Sequence, residues 1–249
     1  MAEPAANLRG GLGTIRNATK LLSLLAAGPA FQHLTDLAER SGMSVPTVHR
    51  LLRSLVQADY AVQDPATLRY GLGPELSRLA AHFRAKHPVM NAVSPFVVAL
   101  RDQLQATIST SILVGDELVC LDQVDARDRG PFRSPPGSVP ALQSAAGRLL
   151  ASRATDEVWE KLLEEAPPEI ADVARDKQSE WAAIEHLYAP APDMMHSAEV
   201  AVIIKDAEDV AVAALSADIA PDATTQDIDK VTAVLNRTAV SCGGTLRNG

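Results

Sequence analysis

Between Ser44 and Gln57 the chain reads SVPTVHRLLRSLVQ. Val48, Leu51, Leu52, Leu55 and Val56 recur at helical spacing and form one apolar stripe. Thr47, Arg50, Ser54 and Gln57 then lie opposite the stripe, with His49 and Arg53 on its flank. Arginine can bond bidentately to a guanine edge, and threonine offers a hydroxyl and a methyl to a base. At the leading end of such a helix Val45, Pro46, Thr47, His49 and Arg50 are candidate readers of nucleic-acid bases. Arg53 and Arg16 are better suited to phosphate oxygens, where a cation positions without specifying. The same helix alone would serve as an ordinary solvated face, so its neighbours have to decide.

No other chemistry is signalled as clearly. Ser109, Ser111, His82 and His87 are scattered, and no Gly-x-Ser-x-Gly, phosphate loop or His-Glu-x-x-His occurs. No catalytic residues and no cofactor are expected. The two cysteines, Cys120 and Cys242, lack metal-ligand spacing and do not form a disulfide framework.

The elements that must position the candidate helix are legible around it. Helical periodicity begins near Arg16, with Ile15, Ala18, Leu21, Leu22 and Leu25 on one side, and AAGPA ends it. A second helix runs from about Leu34 to Arg40 and stops at Ser41-Gly42. Ser44 is a fitting N-cap for the third, because its hydroxyl can accept a free first-turn amide, and Pro46 costs nothing there. Two β-prone segments, Tyr60–Gln63 and Leu68–Tyr70, flank the turn residues Asp64-Pro65. Three short helices followed by a hairpin describe a winged helix-turn-helix, mainly α, with Arg69 on the wing. That order favours double-stranded DNA; a winged helix used as a protein-binding adaptor is the alternative.

Residues 1–13 read as a flexible tail, 14–73 as the winged helix-turn-helix, 74–87 as a linker helix and 88–249 as a second domain. In the last, helices are expected over Asn91–Gln105, Leu142–Ser152, Thr155–Glu165, Glu169–Tyr188 and Thr225–Cys242. Strands are expected at Thr107–Val114, Glu117–Val124, Ala198–Ile204 and Val210–Ala217, with a short one near Phe132–Arg133. Hairpins alternating with helices imply an α+β domain with an antiparallel sheet.

Composition is consistent with this division. The 249 residues are 47% hydrophobic and 4% aromatic, so aliphatic side chains must fill the cores. The net charge is −8, which on its own disfavours a polyanionic partner. Residues 1–86, however, hold 10 Lys and Arg against 6 Asp and Glu, while 87–249 hold 13 against 25. A basic first third can approach phosphates, because counterion release rewards positive charge there. No apolar run reaches the roughly 18 residues needed to span a bilayer, and the N-terminal segment does not read as a secretory signal. A cytoplasmic protein with reduced thiols and no membrane partner is expected.

The stretch LAERSGMSVPTVHRLLRSLVQADYAV resembles the helix-turn-helix and wing entry of the IclR family of bacterial transcriptional regulators. RYGLGPELSRLA, ILVGDELVCLDQV, GSVPALQSAAGRLLAS and VAVIIKDAEDVAVAALSAD resemble later segments of that family in the same order, so the likeness covers about residues 14–242. It implies a homodimer or homotetramer that binds an operator. It also implies a GAF-like C-terminal domain that takes a small-molecule effector and thereby changes DNA binding. Both repressors and activators occur in the family.

Carried over by motif, the effector-binding positions are Ala145, Ala146 and Gly147 in SAAGR, Ser216 and Asp218 on the last strand, Glu199 on the strand before it, and Cys120. Gly147 is expected to allow a close backbone approach at a helix start that could receive an anion. The chain departs from the family pattern in three places: Leu142 stands where histidine is common, His196 and Glu199 where a glycine and a cysteine are common, and Asp218 where a serine is common. Glu199 and Asp218 would add negative charge to a site that often receives a carboxylate in the family. A neutral, polyhydroxylated or cationic effector is therefore expected, unless the strand register is shifted by one and Glu199 faces solvent. His196 and Glu199 with Cys120 or Asp122 would be the ligands of a metal-responsive variant, the weakest reading, and no metal is expected.

Overall fold

A helix-turn-helix holds together only if three short amphipathic helices share one small core, since none is long enough to be stable alone. The computed structural model describes residues 5–127, 137–193 and 196–247, and its contacts divide the chain into a unit up to Phe83 and a unit from Arg84. In the first unit α1 (Ala5–Ala27), α2 (Leu34–Ser41) and α3 (Val45–Gln57) bury Leu21 and Leu25, Leu37 and Ala38, and Val48, Leu51 and Leu52 against one another. The strands β1 (Ala61–Gln63) and β2 (Tyr70–Leu72) pair antiparallel and add Ala61 and Tyr70 to that core. α4 (Pro74–Lys86) follows and buries no residue; its Leu79 and Phe83 are exposed.

Two polar devices fix the helices. The side-chain amide of the buried Gln32 donates to the Leu24 and Leu25 carbonyls at 3.0 and 3.2 Å, satisfying the end of α1, and its oxygen accepts from Arg40 at 2.6 Å. The backbone of Gln32 also bridges Tyr70, with both N–H···O distances 2.8 Å, which ties the hairpin to the helices. Gly42 ends α2 at φ +70°, a left-handed conformation that glycine adopts without steric penalty, and the chain turns there into α3.

The second unit is one six-stranded antiparallel sheet of order β5-β4-β3-β8-β7-β6. The strands are β3 (Thr107–Val114), β4 (Glu117–Val124), β5 (Ser138–Pro140), β6 (His186–Ala189), β7 (Ala198–Lys205) and β8 (Ala211–Ile219). One face packs Ile108, Leu121, Val200, Val202, Ile204 and Leu215 under α5 (Pro88–Val93), α6 (Val97–Leu104) and α10 (Thr225–Arg247). The other packs Leu118, Ala201, Ile203 and Ala214 under α7 (Ala145–Ala151), α8 (Asp156–Glu165) and α9 (Pro168–Ala183). With both faces covered, the central strands are apolar at successive positions and lose the usual alternation.

Several expectations are corrected. The segment read as a tail is helical from Ala5. Ile15 is exposed, so it is not part of the apolar side of α1. The second wing strand lies at Tyr70–Leu72, two residues later than expected, because Tyr70 supplies the core contact. The helix expected over Asn91–Gln105 is broken into α5 and α6 around Pro95, whose missing N–H and ring interrupt the ladder. The helix expected to reach Tyr188 ends at Ala183, and His186–Ala189 becomes β6, paired with Val202 to Glu199 of β7. Ala141–Gln143 is a 3-10 turn before α7, and Ser138–Pro140 is the edge strand β5. The strand expected near Phe132–Arg133 lies outside the described residues.

Candidate functional site

α3 presents its polar face to solvent. Val45, Pro46, His49, Arg50 and Arg53 are exposed and Thr47 is half-buried. Among the described residues no ion-pair partner meets Arg50, Arg53 or Arg16. Other cations of this unit are committed: Lys20 Nζ donates to the Ser41 carbonyl at 2.9 Å, Arg40 to Gln32, and Arg78 to Glu75. Arg69, just before β2, donates from Nε to His33 Nε2 at 3.1 Å, an arrangement that places the His33 proton on Nδ1.

Ser44 occupies the N-cap position of α3, but its hydroxyl does not cap the helix. It pairs with the Thr47 hydroxyl at 2.9 Å. α3 also has no acidic residue in its first turn. Its N-terminal partial positive charge is therefore met by no capping side chain and no first-turn carboxylate.

In the second unit one cavity of about 330 Å³ opens along the sheet. Its wall takes Ser109 and Ser111 from β3, Leu118, Cys120 and Gln123 from the β4 strand, and Gly137, Ser138 and Val139 at β5. Ser144, Glu199 of β7, and Ser216 and Asp218 of β8 complete it. The register explains the gathering. Glu199 stands directly opposite Asp218, Ala201 opposite Ser216, and Ser216 opposite Ser109, so these side chains share one face. Glu199 therefore faces the cavity wall and not open solvent. No Lys, Arg or His is among the described residues that line the cavity.

Of the expected effector positions, Glu199, Ser216, Asp218 and Cys120 come together in this wall. Ala145, Ala146 and Gly147 do not line it; they are buried at the start of α7, and Ser144 takes their place. The expected anion seat at this helix start is filled from within. The Ala145 amide donates to Glu199 Oε2 at 2.6 Å, and the Gly147 amide donates to Ser144 Oγ at 3.0 Å. The close backbone approach at Gly147 is real but internal, since a β-carbon there would overlap the Ala141 carbonyl. Leu142 is buried in the same core and its carbonyl accepts from Arg148 Nε at 2.9 Å.

Electrostatics distinguish the groups of this wall. Burial holds the Glu199 carboxyl above the ordinary glutamate range, and the neighbouring Asp218 adds to the effect. Hydrogen bonds from the Ala145 and Ala146 amides and the Ser216 hydroxyl oppose it. Arg148 lies over the Trp181 ring at 5.4 Å, and burial depresses its pKa while Glu199 opposes that. Burial also raises the Cys120 thiol, whose Sγ donates to the Asp122 carbonyl at 3.2 Å. His196 bonds Asp193 at 2.7 Å and is not part of the wall, and the described residues contain no group of His, Cys, Asp and Glu that could hold a metal.

Comparison with known proteins agrees on both units. The IclR helix-turn-helix domain model matches residues 14–65. An HTH-type transcriptional regulator of Mycobacterium tuberculosis is 31% identical over 184 residues, covering 74% of this chain and 69% of that protein. The transcriptional repressor IclR of Escherichia coli is 25% identical over 65% of this chain, and the match spans 61% of the repressor, under two thirds of its length. Among solved structures, an IclR-family regulator from Brucella abortus aligns with TM-score 0.79 at 18% identity over 94% of this chain and 92% of that one. An IclR homolog from Microbacterium hydrocarbonoxydans, solved with 4-hydroxybenzoate, aligns with TM-score 0.71 at 19% identity over 95% of this chain and all of that one. No described helix is long and apolar enough to cross a membrane.

Proposed function

The chain belongs to the IclR family of transcriptional regulators, and on that premise we propose that α3 reads an operator while the sheet cavity of the second unit takes the effector that modulates the reading. The observation that carries the DNA half is the exposed row His49, Arg50 and Arg53, which meets no ion-pair partner among the described residues, behind an α3 N-terminus with no side-chain cap and no acidic residue in its first turn. Val45, Pro46, Thr47, His49 and Arg50 face the bases in this reading. Arg53, Arg16, the wing residue Arg69 and the α3 amides serve phosphates. The functional divisions follow as 14–73 for DNA, 74–87 for the linker helix and 88–249 for the ligand domain.

The effector half rests on the cavity formed by Glu199, Ser216, Asp218 and Cys120. Its wall favours a neutral, polyhydroxylated or cationic effector over a simple carboxylate, because two carboxylates face one space. Association into a homodimer or homotetramer is supported by α4, an amphipathic helix that buries none of its residues within the chain. A two-fold protein suits two half-sites on DNA.

Selection of genomic fragments with the purified full chain tests the reading. Enrichment of a few fragments that share a site is expected, and Arg50→Ala should weaken that enrichment while leaving the fold intact. A folded chain that enriches nothing would favour a protein-binding adaptor instead.

A further inference from the structure

Leu68 lies in the turn between β1 and β2 with φ +57° and 64% of its surface exposed. Among the described residues, three other non-glycine residues adopt a positive φ: Asp59, Gln105 and Asp209. All three are polar, and aspartate tolerates the left-handed region through local hydrogen bonds. A leucine there is strained, and glycine would hold the same backbone freely. The side chain also stands in water and does not join the core of the first unit. The chain thus keeps a large apolar group where folding gains nothing from it.

The turn holds that side chain in place. The Leu68 amide donates to the Asp64 carbonyl at 2.8 Å, and the Leu68 carbonyl accepts from the Gln63 side chain at 3.1 Å. The Asp64 carboxylate is occupied within the turn, accepting from the Ala66 amide at 3.0 Å and from the Thr67 hydroxyl. The hairpin is fixed to α3, since the Tyr60 amide donates to the Leu55 carbonyl at 2.9 Å and Ala61 and Tyr70 share its core. Residues 64–69 read DPATLR and carry no net charge, so charge alone does not bring this turn to a polyanion.

Resting on the reading of α3 as the DNA-binding helix, we propose that Leu68 enters the minor groove beside the major-groove site and confers a preference for A·T pairs there. The groove walls are deoxyribose C–H groups, and leucine is among the apolar side chains that proteins insert between them. Contact with the sugars removes the side chain from water and so offsets its exposure in the free protein. The guanine 2-amino group projects into the same groove and would obstruct the leucine, whereas A·T pairs present only acceptors on the floor. Arg69, next in sequence and bonded to His33 in the free protein, stands where it can meet a flanking phosphate.

Fluorescence anisotropy of the full chain with a fragment enriched by genomic selection tests this. Hydroxyl-radical footprinting locates the minor-groove pairs that flank the α3 site. Changing those pairs from A·T to G·C should weaken wild-type binding about tenfold, and inosine·C, which lacks only the 2-amino group, should restore it. Leu68→Gly should bind the A·T fragment about tenfold more weakly and lose the discrimination between G·C and inosine·C. Its thermal unfolding midpoint should stay at or above that of wild type, because glycine relieves the strain. Leu68→Met, still apolar, should keep both the affinity and the discrimination. Equal affinity of wild type for G·C and inosine·C flanks would overturn the proposal, and that comparison needs no variant to fold. A folded Leu68→Gly that binds as tightly as wild type would overturn it too, while leaving α3 as the reading helix. A wild-type chain that enriches no fragment would overturn the DNA reading and this proposal together.

Discussion

Glu199 and Ala145 are 54 positions apart in sequence, yet the Glu199 carboxylate accepts the Ala145 amide at 2.6 Å and so fastens β7 to the first turn of α7. This bond accounts for an acidic residue near the start of a strand that is apolar from Val200 to Ile204, since a buried carboxylate persists only when it is hydrogen-bonded. Glu199→Ala should be less stable than Glu199→Gln by about 1 kcal/mol, the usual worth of a helix N-terminal cap. Urea unfolding followed by tryptophan fluorescence measures this cleanly, because the chain's two tryptophans, Trp159 and Trp181, both lie in the core beside α7.

The same residue gives a pH dependence with a definite sign. Burial and Asp218 raise the Glu199 pKa in the folded chain above the ordinary glutamate range. Its stability contribution is therefore complete below the unfolded value and is lost as pH rises through the folded one. The charged and titratable groups facing it are Asp218 of β8, Arg148 of α7 and Cys120 of β4. Urea midpoints of wild type and Glu199→Gln, compared across this range, should shift in favour of Gln as pH rises. A constant difference would show that Glu199 titrates normally.

Gly147→Ala should destabilise the second unit by about 1–3 kcal/mol or more, the scale of overpacking, because its β-carbon would overlap the Ala141 carbonyl. The tryptophan signal should report this loss. A stable Gly147→Ala would mean that the 3-10 turn before α7 can move away cheaply.

Leu51→Ala should cost about 2–5 kcal/mol in the first unit, as expected for a buried leucine truncated to a cavity. The tryptophan transition should be unaffected while helical circular dichroism is lost at lower denaturant. Loss of DNA binding in this variant would reflect unfolding and carries no information about contact.

How much of this was legible in the sequence depended on the range of the interactions. α3 was legible because Val48, Leu51 and Leu52 declare a buried stripe within one helix. β5 and β6 were not, because Ser138–Pro140 and His186–Ala189 are too short to display a strand period. The wall positions Glu199, Ser216 and Asp218 were found through family resemblance, and the strand register explains why they meet. The partner of Glu199 was hidden, since nothing local links it to Ala145. Ser44 shows the opposite error: a sound local rule for capping yielded to a hydroxyl pair with Thr47.

The central claim is that α3 reads DNA sequence, and the direct measurement is fluorescence anisotropy of a selected genomic fragment titrated with wild type and Arg50→Ala at one fixed salt concentration. Wild type should prefer the fragment to random DNA by about a thousandfold or more. Arg50→Ala should lose about 1–3 kcal/mol on the selected fragment and little on random DNA. Equal affinity of both proteins for both DNAs would contradict the account.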